Sequence, residues 1–309
     1  MGLLAAPSCL VIAKRGALWR SRPAGLDCRA PAGLAMTGTR RQRSTTRLAT
    51  LALLAWAPSA MAEPAKRPVL TVCADPNNMP FSNRAQQGFE NRIAALIAKD
   101  LGVGITYVWW AQRRGYVRNT LGSDLCDLWP GVAKGMDMVS TTIPYYRSTY
   151  VFVTRADRPL AGLSFDDPRL RSLRIGVQMV GNDGMNTPPT HALAVRGIVN
   201  NVHGYMLYGN YEQPNPPARI VEGVEKGDVD VAIAWGPMAG YFAKLSSVKL
   251  RIEPVTPPVE SGQWPMTYSI AMGVRKGQAP FKAQVEAILR KEQPAIARIL
   301  TDYGVPQVE

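Results

Sequence analysis

Residues Val69 to Leu101 read VLTVCADPNNMPFSNRAQQGFENRIAALIAKDL, and the fold follows from them. Val69, Leu70, Val72 and Cys73 form a short apolar run stopped by the turn-forming ADPNN, the pattern of a buried strand that opens into a loop. Phe89, Ile93, Leu96, Ile97 and Leu101 then recur at helical spacing and Gly102 supplies the stop, so a helix is predicted there. Strand, polar loop and helix in that order put Asp75, Asn77 and Asn78 at the carboxyl end of the strand, where open α/β sheets hold their ligands.

Further along, GITYVWW (Gly104 to Trp110) is rich in β-branched and aromatic residues and reads as a second strand. A short helix near Gly115 to Leu121 leads to DLWPGV (Asp127 to Val132), where Pro130 marks a strand end or a bulge. Strands alternating with helices predict parallel pairing with right-handed crossovers. One phrase occurs twice: TLGSDLCDLWPG around Cys126 and VEKGDVDVAIAWG around Asp230. Each holds a helix end, a Gly, an Asp, an apolar strand and a Trp before Gly, which predicts two halves built alike.

Between the halves, YVFVT (Tyr150 to Thr154) is a strand-like crossing and RADRP a charged break suited to a hinge. LRIGVQ (Leu173 to Gln178) opens the second half as a strand, followed by MVGNDGMNTPP. Pro188 and Pro189 are tolerated only in the first turn of a helix, so its amino end lies near Thr187. Val202 to Tyr208, Val229 to Trp235 and Tyr268 to Val274 read as strands, and Ile220 to Lys226, Phe281 to Leu289 and Ala295 to Tyr303 as helices. The predicted division is 1–62 as upstream extension and signal, 67–154 as the first part of lobe 1, 158–258 as lobe 2, and 262–309 as the return to lobe 1.

The first 62 residues do not read as a folded domain. RRQRSTTR (Arg40 to Arg47) is basic, LATLALLAWAP (Leu48 to Pro58) is apolar, and Ala60-Met61-Ala62 fits a small-residue cleavage site, which together make a secretory signal. The apolar core is too short for a membrane anchor. Met36 stands at the right distance to be the true start, with a long leader from Met1 as the alternative. The paired Arg40 and Arg41 raise twin-arginine export beside the general secretory route, which the rest of the leader favours. Cleavage after Ala62 leaves 247 of the 309 residues, enough for two lobes. The leader takes away nine Lys or Arg and one acid, so the net charge drops from +13 to +5. A nucleic-acid role loses its electrostatic basis, since no Lys/Arg run with interleaved aromatics remains.

Two cysteines stay, Cys73 and Cys126, in a compartment that should be oxidising. They either pair or remain buried thiols. Cys73 lies near the end of its strand while Cys126 precedes the next, so in a parallel pair the two positions are offset by about 10 Å or more, against the ~7 Å limit on disulfide α-carbons. That geometry favours free thiols.

DPNNMPF (Asp75 to Phe81), GFEN (Gly88 to Asn91), PYY (Pro144 to Tyr146) and the final YGV make the whole mature chain resemble a type II periplasmic solute-binding protein, an α/β fold of two lobes with central mixed sheets joined by a two-stranded hinge. More narrowly, VCADPNNMPFSN, GFENRIA, VWWAQRRGYVRNTL, IPYYRSTYVFV, NTPPTHALAVRGIV and AWGPMAGYFA are similar to the MxaJ/XoxJ group, accessory proteins encoded with pyrroloquinoline-quinone alcohol dehydrogenases of methanol oxidation. The resemblance implies a periplasmic location and a quinoprotein methanol dehydrogenase, of the calcium or lanthanide type, as partner, with its cytochrome c as a further candidate. It implies no membrane anchor and no nucleic acid.

The chain also departs from the amino-acid-binding members it resembles. Those carry an Arg before the PYY segment to hold a ligand carboxylate, and here VAKGMDMVSTTI has none. They place an Asp after the repeated strand of the second lobe, and here Trp235 stands instead. A zwitterion would be left with unpaired charges in a closing cleft, which argues against simple amino-acid capture. Aromatic residues replace the clamps: Phe81, Trp129, Tyr145, Tyr146 and Trp235 are expected at strand ends or cleft loops, offering contact area to a protein segment. Asp75, Asn77 and Asn78 complete the first side, with Arg147 as an acid-binding candidate. Asn182, Asp183, Asn186 and Thr187 lie beside a predicted helix amino end, where backbone amides can hold an anion.

No catalytic constellation is present. His191 and His203 lack ligand-spaced partners, and neither a G-x-S-x-G elbow nor an EF-type calcium loop occurs, so no metal or cofactor is expected. The function predicted is a non-catalytic accessory protein that matures or activates the dehydrogenase. The alternative is a true solute receptor delivering a small organic ligand to a transporter.

Overall fold

The opening stretch folds as β1 (Val69–Ala74), the short antiparallel pair β2 (Asn77–Asn78) and β3 (Ser82–Asn83), and α1 (Phe89–Leu101). The computed structural model describes residues 68–179, 186–207, 211–260 and 264–308, all within one compact unit. The leader and the loop bearing Asn182 and Asp183 lie outside the described residues. α1 buries Phe89, Ile93, Ala94, Ile97 and Ala98 along one stripe, which drives its docking on the sheet. The Asn91 side chain accepts the Gly88 N–H at 3.1 Å at its start, and Gly102, at φ +66°, ends it in the left-handed conformation that costs glycine little.

β4 (Gly104–Trp109) pairs parallel with β1 from Val69 and Gly104 to Ala74 and Trp109. After α2 (Tyr116–Asn119) and a 3-10 turn at Leu121–Ser123 come β5 (Trp129–Ala133), β6 (Ser140–Thr141) and the ten-residue β7 (Tyr146–Arg155). The second half is built from β8 (Ile175–Met179), α3 (Pro188–Val195), β9 (Val202–Met206), α4 (Arg219–Lys226), β10 (Val231–Trp235), α5 (Gly236–Leu245) and β11 (Leu250–Pro254). The chain returns through β12 (Val259–Glu260), β13 (Trp264–Pro265) and β14 (Thr267–Val274), and closes with α6 (Ala279–Lys291) and α7 (Gln293–Asp302).

Strands from both halves join in one mixed sheet of order β5-β14-β7-β10-β8-β9, with β6 on β14 and β11 on β7, while β1 and β4 form a separate parallel pair that meets the run into β5 at Val72 and Leu128. β7 is common to both parts. Its Tyr146 to Thr149 segment pairs antiparallel with β14, and its Tyr150 to Thr154 segment pairs with β10. The main apolar core spans α1, α4, α5, α6 and α7, while a second core around Phe152, Phe165, Leu170 and Leu193 lies on the second half.

The repeated phrase has a physical meaning. Asp127 accepts the Thr71 N–H at 3.0 Å, and the Thr71 carbonyl accepts the N–H groups of both Asp127 and Leu128. In the second half Asp230 accepts the Arg174 N–H at 2.9 Å, and the Arg174 carbonyl accepts from Asp230 and Val231. Both pairs are separated by 56 residues, so one lock sets the same register twice. In the second half the Arg174 guanidinium grips Asp230 as well and holds its carboxyl below the usual range.

Besides the two-residue strands, α5 and β11 lack a sequence counterpart. α5 carries Gly236, Pro237 and Gly240, which together read as a loop, and β11 was hidden in the approach to a Pro-rich segment. Gly240 is required by packing: a Cβ there would collide with the Gly304 carbonyl.

The cysteine expectation is corrected. Cys73 and Cys126 form a disulfide, with α-carbons 5.6 Å apart. β1 and the run into β5 do meet in parallel, at Val72 and Leu128, but the chain before Leu128 is not extended. Leaving the 3-10 turn, it bends back so that the Thr71 carbonyl takes two successive N–H groups, and the bend brings Cys126 over Cys73. The bridge is fully buried beside Tyr116, Leu121 and Val132.

Two outcomes follow for stability. Peptide mapping of the non-reduced protein should recover the Cys73 and Cys126 peptides joined, and replacing both by Ser should lower unfolding free energy by about 4 kcal/mol, the loop-closure value for a bridge of this span; recovery of the two peptides separately would refute the bridge. Asp230→Ala removes a charge-assisted backbone clamp and should cost about 2 kcal/mol in denaturant unfolding, with little change in m.

Candidate functional site

Parallel pairing of β1 with β4 ends at Ala74 and Trp109, so the residues that follow each strand emerge side by side. Asp75 uses this. Its buried carboxylate accepts the N–H groups of Asn77 at 2.8 Å and Gln112 at 2.7 Å, and takes a hydrogen bond from the Tyr211 hydroxyl. Burial raises its pKa, against the two amides, which lower it. Asn78, also buried, donates to the Gln112 side chain at 3.0 Å. Asn77 reaches the other way, donating from its side chain to the Gln213 carbonyl at 2.9 Å. Asp75 and Asn77 therefore tie the first half to the 211–213 segment of the second.

The predicted aromatic residues separate into three places. Phe81 packs on Phe89, Tyr146 meets Phe89 edge-on, and the Tyr145 hydroxyl donates to the Pro130 carbonyl, all on the main core. Trp129 corrects the cleft expectation: only 7% exposed, it packs on Tyr116 beside the disulfide, because the bend that closes the bridge also turns this indole into a small core of its own. Trp235 stands at the junction, where β10 gives way to α5, edge-on to Tyr150 at 5.3 Å and Tyr268 at 5.8 Å, in contact with both cores.

Arg147 is exposed and points away from the buried Tyr146, as strand alternation dictates. Thr187 is the N-cap residue of α3, and its buried hydroxyl donates to the Gln178 carbonyl at 3.0 Å, with Asn186 bridged to Met179 beside it. Asn182 and Asp183 lie outside the described residues. Gln112, Arg113, Tyr211 and Gln213 were not singled out from the sequence, although the VWWAQRR run that carries the first two was.

The other unanticipated residue is Glu90, in the first turn of α1. Its carboxyl lies buried among Tyr116, Tyr145 and Tyr146 and makes no hydrogen bond among the described residues. A Cβ at position 131 would collide with Glu90 Oε1, so Gly131 makes the room it occupies. Burial pushes its pKa up to about 8. The acid is therefore mostly neutral at pH 7 and needs no counter-cation.

No family model matches the chain. Protein MoxJ of Methylorubrum extorquens is 36% identical over 249 residues, which cover 77% of this chain and 81% of MoxJ. The chain belongs to the MoxJ family. Among solved structures, MxaJ from Methlophaga aminisulfidivorans superposes with TM-score 0.68 at 27% identity, covering 77% of this chain and all of that one. The periplasmic binding protein XoxJ from Methylobacterium extorquens superposes with TM-score 0.63 at 37% identity, covering 78% of this chain and 99% of that one. The fold is that of the type II periplasmic binding proteins, here with a mixed sheet shared by both halves. Among the described residues no helix is long and apolar enough to cross a membrane, and no group of His, Cys, Asp and Glu is arranged to hold a metal.

Within this family scaffold Glu90 makes stability depend on pH with a definite sign. Its folded pKa, about 8, lies above the unfolded value, so the unfolded chain loses the proton first. Its contribution is fully present below about pH 4.5 and falls as pH rises through about 8. Glu90→Gln keeps the shape without the ionisation, so its melting temperature should exceed that of the natural protein by several degrees at pH 8 and match it near pH 4. Equal pH profiles for the two proteins would show that Glu90 ionises freely.

Proposed function

We propose that this chain is an exported, non-catalytic accessory protein of methanol oxidation that engages a quinoprotein methanol dehydrogenase during its maturation or activation. The observation that carries the reading is the likeness to MoxJ across 81% of that protein's length, joined by MxaJ and XoxJ among solved structures. In this reading the leader directs the chain to the periplasm, and the dehydrogenase, of the calcium or lanthanide type, is met there together with its cytochrome c.

The surface proposed for the encounter lies where β7 changes partner. Trp235 and Tyr268 are half-buried there, with Tyr150 behind them, and aromatic rings of this kind supply contact area at low entropic cost. Asp75, Asn77 and Asn78 are the contacts proposed from the first half, and Asn186 and Thr187 those from the second. No arginine lies between β5 and the Pro144 segment, and an indole stands at the end of β10, so the scaffold lacks the ionic grips a zwitterion needs. The two halves move against each other about β7 and β14 as the partner segment is taken up.

The test is capture of the dehydrogenase by the purified protein, in immature and mature forms, together with methanol oxidation in a deletion strain. We expect binding, loss of methanol oxidation on deletion, and only partial rescue by a Trp235→Leu chain, with binding weaker by about tenfold, the usual scale for a truncated aromatic contact. Failure to bind either form, with methanol oxidation intact in the deletion strain, would end the proposal.

A further inference from the structure

A pocket of about 480 Å³ opens beside the Asp75 clamp, lined by Asn77, Arg84, Trp109, Trp110, Arg113 and Tyr211. Its aromatic wall is partly fixed and partly free: Trp109 is stacked on Tyr107 at 4.8 Å, while Trp110 is 40% and Tyr211 44% exposed. Its charge is one-sided. Arg84 and Arg113 are exposed and form no ion pair with any described residue. Both guanidinium groups act on the Tyr211 hydroxyl.

Asp75, the carboxylate that acts on Tyr211, is felt by Arg113 and offsets only part of this charge. Asp75 is 2% exposed, and its oxygens are taken by the Asn77 and Gln112 amides and by Tyr211, so its charge stays beneath the wall. Two guanidinium groups against one buried carboxylate leave a net positive surface beside exposed indole rings. Tyr211, with its pKa pushed up to about 12 by burial, stays protonated and keeps its hydrogen bond to Asp75. The pocket thus joins a flat apolar wall to a forked cationic edge.

The geometry points to a binding site for a planar aromatic carboxylate, its ring on the indoles of Trp109 and Trp110 and its carboxylate in the fork of Arg84 and Arg113. An anion offsets the repulsion between two exposed guanidinium groups, and a flat ring stacks on the exposed indole of Trp110. Because Tyr211 and the Asn77 to Gln213 hydrogen bond belong to the same wall, the occupant touches both halves and favours the arrangement in which they meet. This site shares Asn77 with the surface proposed for the dehydrogenase, but naphthoate binding and dehydrogenase capture are separate measurements, so either can fail alone.

The experiment titrates the purified protein with 2-naphthoate, following tryptophan fluorescence and calorimetric heat. The comparison probes are 2-naphthol, which has the ring without the charge, cyclohexanecarboxylate, which has the charge without the ring, and inorganic phosphate. Saturable naphthoate binding is expected, with each comparison probe at least about tenfold weaker. Arg84→Gln and Arg113→Gln should each weaken naphthoate by about tenfold, Trp110→Leu should weaken it, and Trp110→Phe should retain it. These side chains are exposed, so unchanged circular dichroism and melting are expected in every variant. Absence of saturable naphthoate binding overturns the proposal. So do arginine variants that bind as the natural protein does, or phosphate or cyclohexanecarboxylate competing on equal terms.

Discussion

The structure depends on one strand changing partners. β7 runs unbroken from Tyr146 to Arg155, yet along one edge it pairs with β14 up to Thr149 and with β11 from Val151, while β10 takes the other edge from Tyr150. At the handover, backbone groups would be orphaned in a buried place unless something local accepted or donated. Hydroxyls and a return strand do this: Thr149 donates to the Met266 carbonyl at 3.0 Å, Thr267 to Thr149 at 3.0 Å, and Ser148 to the Pro306 carbonyl at 2.5 Å. The Tyr150 N–H finds the Met266 carbonyl, and its own carbonyl accepts from Val255. The two halves are held in register by these few bonds and by Trp235, which touches both cores at that level.

Much of this was legible in the sequence because local signals and tertiary demands agree. The helix from Phe89 to Leu101 has its apolar stripe and its terminal glycine, and both predict the same element. The twice-written phrase was legible for a deeper reason: Asp127 and Asp230 do the same work at the same separation, so selection for one lock leaves one spelling. α5 was hidden because its glycines answer to packing against Gly304 and not to helix propensity. The disulfide was misjudged because a strand register says nothing of a bend outside the strand.

The candidate site was legible by position and less so by role. Asp75, Asn77 and Asn78 stand where the end of β1 places them, but two of the three are buried and spend their hydrogen bonds on holding loops. Aromatic content read from sequence does not say which ring becomes core. Trp129 and Trp235 each stand ahead of the glycine that ends the repeated phrase, two residues after Asp127 and five after Asp230, and one opens its strand and is sealed beside a disulfide while the other ends its strand at the junction. The partners of Asp75 come from positions 112 and 211, distant in sequence, and no local pattern announces them.

The electrostatics of the first half turn on how its two buried acids are silenced. Glu90 is silenced by protonation: burial without a hydrogen-bond partner makes the neutral form the stable one at pH 7. Asp75 is silenced by amides and a phenol that face inward. With both acids buried, Arg84 and Arg113 are the charged side chains that line the pocket beside the end of β1. Their positive field repels an ammonium group and draws a carboxylate. This is the asymmetry on which the proposed carboxylate site rests.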